Sequence, residues 1–393
     1  MAKPIAAIAI TCFSAVVFFC CVSSVPAGVL NLGPEEIVTA AGADLWVPGY
    51  SVPLYADFNS DGRTDLVVGE GGGGYAGKIR VYLNQGTAGA PQFSGFSYVQ
   101  SQGADLVAPA SGCLGAFPRI ASFNDDDLAD LLVGQADGRV MLYLNVGSAA
   151  APAFDGGRLL EVGPSGAKSP IDVGSRATIA VADFNNDDVL DLVLGALDGR
   201  VRLYLNEGTD AAPDFLAETI LQDLAGPLLV PSGRSSPVVG DLDGDGKKDL
   251  LVGNTDGQIL LYSNIGTDVA PQFSAYDGVT ADGGPIDLPS TPRARPTVAD
   301  WTGDGLPDLL VGAGDGKVRL YQSVPEPASW ALLAAGALAA LLLHRKRRVT
   351  LLACPAVRVR NRCEFLPPTR SLASPYGAGS PSERSSRQGF PAR

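Results

Sequence analysis

Four aspartates fall within nine residues of the stretch DLDGDGKKDLLVG, 241–253. Carboxylates held a few ångströms apart repel and raise one another's pKa, so such a cluster asks for a compensating cation. Asp241, Asp243, Asp245 and Asp249 stand at positions 1, 3, 5 and 9 of the stretch, with Gly246 at position 6. Oxygens at those positions, completed by the main-chain carbonyl of position 7, here Lys247, are the ligand pattern of a calcium loop. The alternative is a polar Asp-Gly turn between two strands.

The pattern recurs. Loops starting at 57, 122, 183, 241 and 300 give a period of about 60 residues, the mark of a repeat architecture. The candidate ligands are Asp57, Asn59, Asp61, Arg63 and Asp65 in the first loop, and Ser122, Asn124, Asp126, Leu128 and Asp130 in the second. The third supplies Asp183, Asn185, Asp187, Val189 and Asp191, and the fifth Asp300, Thr302, Asp304, Leu306 and Asp308. Arg63, Leu128, Val189, Lys247 and Leu306 enter through their carbonyls. Up to five Ca²⁺ ions are therefore expected. The Ser122 loop should bind most weakly, since it lacks the first Asp and has Asp127 where a turn glycine stands elsewhere. Asp188 replaces that glycine in the third loop. The fourth loop is the most charged, so Asp245→Ala should cost more than Asp126→Ala.

The elements around each loop read as strands. A short apolar run such as SPVVGD (236–241) enters the loop and DLLVG (249–253) leaves it. Asp-Gly pairs at 137–138, 198–199, 256–257 and 315–316 then predict tight type I′ hairpin turns. Alternation in VRLYLN (201–206) gives a third strand with Val201, Leu203 and Leu205 on one face, and 215–223 gives a fourth. With no helical signal, this predicts an all-β chain: a five-bladed β-propeller of four-stranded blades. The fifth repeat stops at Ser323, before its fourth strand, whereas residues 29–45 hold a strand with no blade before it. The ring should therefore be closed by the N-terminal strand, burying Ile37, Val38 and Leu45 and leaving no open edge.

The loop DxNxDGxxD, followed by DLLVG and a downstream NxGTxxxPxF, resembles the FG-GAP or VCBS-type repeat of bacterial surface propellers and of integrin α-chain head domains. The resemblance covers about residues 29–323. It implies calcium on the blade loops and a rigid ring that presents a surface to an extracellular protein or polysaccharide.

Outside the ring, Lys3, an apolar stretch from Ile5 to Val22 and VPA at 25–27 predict a signal peptide over 1–27, an N-terminal membrane anchor being the alternative. The mature propeller then spans 28–323, with Cys113 as its single cysteine and no disulfide framework. VPEPASWALLAAGALAALLLHRKRR (324–348) resembles the PEP-CTERM sorting signal. That likeness implies transient membrane anchoring through this transmembrane-like segment, processing by an exosortase-type enzyme, and a secreted protein of the bacterial surface or matrix. A permanent tail anchor is the alternative. Residues 349–393, rich in Arg, Pro and Ser, read as a disordered basic tail.

The formal net charge is −13 although residues 344–393 are strongly basic, so the ring itself is acidic. Most of that acidity lies in the loops as ligand charge, and no basic patch points to nucleic acid. The single histidine, His344, lies outside the ring, which excludes triads and histidine-ligated zinc there. No enzyme activity is expected. The chain reads as a calcium-binding adhesion module. A lectin using Tyr82, Tyr143, Tyr204, Tyr262 and Tyr321, one per blade, is an alternative to packing of those rings between blades. A carboxylate-pair glycosidase is a further one.

Overall fold

The computed structural model describes residues 30–325 except 113, 125, 127 and 289–291. The stretch expected to be a signal peptide, the apolar run of the sorting segment and the stretch 349–393 lie outside the described residues. Among the described residues there is no helix; strands build five blades of four strands around one axis, and two short strands, Thr280–Ala281 and Gly284–Pro285, extend the sheet of the fifth to six. The first four blades start with the inner strands Val52–Ala56, Phe117–Ala121, Thr178–Ala182 and Ser236–Gly240, each followed by three strands in antiparallel order. Arg295–Ala299 starts the fifth. Each inner strand packs against the inner strands of both neighbouring blades.

The fifth blade takes its outermost strand from the other end of the chain. Leu32–Ile37 pairs antiparallel with Val318–Ser323, Leu32 opposite Ser323 and Ile37 opposite Arg319. Leu32 also closes a set of latches between blades. The carbonyls of Phe93, Phe154 and Phe215 accept from the N–H groups of Ala41, Gln102 and Gly163 in the preceding blade's outer hairpin, and Leu32 accepts from Asp282 at 2.8 Å. The phenylalanine of the PxF motif is thus a latch between blades, not the start of the fourth strand, which in blade three is Thr219–Ile220. Val38 and Leu45 are buried as expected, but Ile37 is half-exposed at the strand's end, and Leu32 is buried in its stead.

The core divides into five apolar seams, one between each pair of adjacent blades. Strand alternation explains how one strand serves two seams: Val201 and Leu203 face blade four, while Tyr204 faces blade two. Tyr82, Tyr143, Tyr262 and Tyr321 repeat this placement, each buried in the seam with the preceding blade. No ring of exposed tyrosines exists for sugars to stack on; the five side chains are packing residues.

The glycine that ends each second strand has a steric cause. A Cβ on Gly69, Gly134, Gly195, Gly253 or Gly312 would lie 2.1–2.4 Å from a main-chain carbonyl of the next blade. At Gly195 it would meet Ser235 O at 2.4 Å and Thr178 Oγ1 at 2.5 Å. Gly195→Ala should therefore lower the free energy of unfolding by about 3 kcal/mol, read as a shifted urea midpoint; an unshifted midpoint would contradict this seam geometry.

The Asp-Gly turns differ from the expected type I′. Gly138 has φ 92° and Gly199 φ 81°, but neither Asp137 nor Asp198 has positive φ. Gly138 N–H donates to Gln135 O and Gln135 N–H to Arg139 O, so the loop has three residues and the glycine forms a bulge. The aspartate carboxylate instead accepts the N–H two residues on, at 3.2 Å from Arg139 and 3.0 Å from Arg200.

Candidate metal centre

Each acidic loop joins the inner strand to the second strand at one end of its blade. The aspartate at position 9 is its anchor. Asp65, Asp130, Asp191, Asp249 and Asp308 are each 0% exposed. One carboxylate oxygen accepts the N–H of position 2, for example Phe184 at 2.8 Å and Leu242 at 2.9 Å. The other accepts an N–H at the end of the third strand, from Asn84, Asn145, Asn206, Asn264 or Ser323, at 2.6–2.8 Å. Burial pushes Asp65, Asp130 and Asp191 up to about 6 despite these bonds, and raises Asp249 and Asp308 as well.

The rest of each loop is wound by its own carboxylates. At position 1, Asp57, Asp183, Asp241 and Asp300 accept N–H groups of the turn, as from Gly62 at 2.8 Å and Gly305 at 3.0 Å. At position 5, Asp61, Asp126, Asp187, Asp245 and Asp304 accept the N–H of position 7 at 2.9–3.0 Å. The side-chain amides of Asn59, Asn124 and Asn185 at position 3 reach the position 5 carboxylates. The left-handed turn expected at position 6 is present at Gly62, Gly246 and Gly305, and at Asp188 with φ 66°. Position 4 is left-handed too, at Ser60, Asn186, Gly244 and Gly303; the Ser, Asn and Gly types there were a signal in the sequence.

The loops differ in what faces a cation. In the fourth, carboxylate oxygens of Asp241, Asp243 and Asp249 lie within 4.8 Å of one another. No other such cluster occurs among the described residues. Asp245 is turned aside: Lys247 Nζ reaches its carboxylate at 2.5 Å and holds it below the usual carboxylate range. Arg63 does the same to Asp61 in the first loop at 2.5 Å. Position 7 thus brings a side-chain cation as well as a carbonyl in those two loops, and Leu128, Val189 and Leu306 bring none. In the fifth loop the Thr302 hydroxyl is shielded from water with no hydrogen-bond partner among the described residues, an oxygen in a ligand position with a free lone pair. Hard oxygen donors, a converging carboxylate trio and this orphaned hydroxyl suit Ca²⁺. Ser122 lies at the mouth of the axial cavity, and position 6 of its loop lies outside the described residues.

Position 2 carries no ligand yet ties the loop to the ring. Phe123, Phe184 and Leu242 are buried in the seam with the next blade, and the Trp301 ring lies 5.8 Å from that of Phe93. Loop order and seam packing are therefore coupled. Asp191→Ala should destabilise the ring by about 2–3 kcal/mol even in chelator, by leaving two buried N–H groups unpaired. Asp187→Ala, at an exposed position, should change the chelator-treated melt by less than about 1 kcal/mol. Equal effects in denaturant titrations would show position 9 to be no anchor.

The model for the FG-GAP-like repeat matches residues 183–252 and 241–311, that for the FG-GAP repeat matches 48–82, and that for the PEP-CTERM protein-sorting motif matches 323–348. Integrin alpha-4 of Xenopus laevis is 28% identical over 149 residues, covering 35% of this chain and 14% of that protein. Integrin alpha-7 of Mus musculus is 30% identical over 162 residues, covering 38% of this chain and 13% of that protein. The chain thus matches only about a seventh of the length of these curated relatives. Among solved structures, the GH43_1 enzyme of Xanthomonas citri superposes with a TM-score of 0.44 at 14% identity, over 76% of this chain and 91% of that one. A likeness at that score says nothing about chemistry. Five loops of one pattern on five blades, with three repeat matches along them, fix the assignment: the chain is an FG-GAP-repeat β-propeller carrying a PEP-CTERM protein-sorting motif.

Proposed function

We propose that the ring is an exported, calcium-loaded, non-catalytic module that binds an extracellular protein or polysaccharide at the bacterial cell surface or in the matrix. The observation that carries the calcium reading is the gathering of Asp241, Asp243 and Asp249 within 4.8 Å, on a loop whose position 2 residue is locked into a seam. The sorting motif supports export to the cell envelope and processing by an exosortase-type enzyme. It begins where the ring ends: Val324 N–H donates to Asn31 O at 2.7 Å, the last bond of the closing strand. Cleavage beyond Pro325 would leave every blade intact.

Burial of the five tyrosines removes the surface that favoured a lectin. Calorimetric titration with calcium tests the proposal, with uptake expected at a Kd of about 10⁻⁴ to 10⁻³ M, tightest in the fourth loop. A glycan and matrix-protein array probed with and without calcium then reads the partner class. No calcium uptake at millimolar concentration would end the calcium reading. Release of reducing sugar from an array ligand would replace the binding module by an enzyme.

A further inference from the structure

The blades surround an axial cavity of about 570 Å³, inside the range of roughly 300–1,000 Å³ typical of small-molecule sites. The third residue of each inner strand lines it: Leu54, Arg119, Ala180, Val238 and Thr297. Four of these are uncharged, and the fifth is a guanidinium.

Arg119 is 8% exposed. One of its N–H groups donates to the Pro118 carbonyl at 2.8 Å, and its guanidinium lies 4.7 Å from the centre of the Phe117 ring. Among the described residues no carboxylate forms an ion pair with it, and burial alone pushes its pKa down to about 9. Three other buried arginines of the blades are treated differently. Arg80 pairs with Glu70, Arg202 with Asp198 and Glu218, and Arg319 with Asp315 and Glu35. A buried cation without a counter-charge destabilises a fold, and a site that retains one is suited to an anion from outside.

We propose that the axial cavity binds a small monocarboxylate with an apolar body, its carboxylate held by Arg119. The guanidinium fork matches a planar carboxylate, forming two parallel hydrogen bonds. Beside it on the inner strands, Ile120, Val181, Val239 and Val298 offer apolar surface to the rest of the ligand. Of the inner-strand residues that line the cavity Arg119 alone is charged, which calls for one charge on the ligand; Lys247, Lys248, Asp183, Asp210, Asp241 and Asp268 line it beyond those strands.

Titration of the full chain with octanoate, in parallel with 1-octanol, tests this directly. Saturable one-to-one octanoate uptake is expected in the parent, with octanol bound at least about tenfold more weakly. Arg119→Leu, which places in blade two the residue that blade one carries, should melt at or above the parent temperature and lose octanoate uptake by at least about tenfold, with octanol unchanged. No octanoate uptake by the parent at millimolar concentration, equal binding of octanol, or undiminished uptake by a folded Arg119→Leu would each overturn the proposal. The octanol comparison needs no variant, so it decides even if Arg119→Leu does not fold.

Discussion

A chain lacking residues 30–47 should lose its single cooperative melting transition and associate with itself. Without Leu32–Ile37, the strand Val318–Ser323 becomes an open edge of unpaired N–H and C=O groups. The latch from Asp282 N–H to Leu32 O disappears, as do the bonds from Val38 N–H to Val318 O at 3.0 Å and from Val47 N–H to Gly316 O at 2.9 Å. Val38, Leu45 and Val47 also leave the seam between blades five and one, where they pack with Tyr55 and Trp301. Tyr321 loses its acceptor Glu35 at 2.8 Å, and Arg319 loses its ion pair with Glu35 while that with Asp315 stays. Each buried apolar side chain contributes about 1.5–3 kcal/mol, so four of them approach the whole stability of about 5–15 kcal/mol that a domain possesses. Scanning calorimetry together with sedimentation velocity reads both effects. A shortened chain that melts sharply and stays monomeric would mean that the ring is closed by something other than this strand.

That closure was legible in the sequence because it is a counting result: a missing fourth strand after Ser323 and a spare one before Asp57. Strand order follows from the repeat period for the same reason. Side-chain direction is another matter. Tyr204 sits on a strand buried on both faces, and only the approach of blade two decides that its ring packs rather than faces solvent. The glycine closing DLLVG carries no strand propensity, and its necessity comes from a carbonyl about 40 residues on, Ser235 for Gly195. The ligand types of the loops could be read, but the capture of Asp245 by Lys247 and of Asp61 by Arg63 could not, since a backbone ligand at position 7 leaves its side chain unspecified. Leu32 escaped because it replaces a phenylalanine whose role as a latch is visible only between blades. Arg119 is invisible for a similar reason: its isolation comes from the curvature of the ring, which faces it with uncharged residues from four other strands.

In chelator, the ring should melt at a higher temperature at pH 5 than at pH 7.5, and calcium should raise the melting temperature far more at pH 7.5. The buried aspartates at position 9 set the sign. Asp65, Asp130 and Asp191 titrate at about 6 in the folded ring against about 3.9 in an unfolded chain. Between those values the folded state binds more protons than the unfolded one, so stability falls as pH rises. The contribution is complete below the unfolded value and lost as pH passes through about 6. The lowered carboxylates, Asp61, Asp105, Asp198, Asp245 and Asp315, are ionised in both states at pH 5 and above and do not oppose the trend. No histidine lies in residues 30–325 to confuse it. Calcium takes the place of the protons, so its binding at pH 5 must displace them and weakens. At ten times its Kd one site adds about 1.4 kcal/mol, and several sites together give a shift of many degrees at pH 7.5. Melting curves in chelator and in calcium at the two pH values read the whole cycle. If the chelator-treated ring is less stable at pH 5, or if the calcium increment is no larger at pH 7.5, then the position 9 carboxylates are not where cation and proton compete.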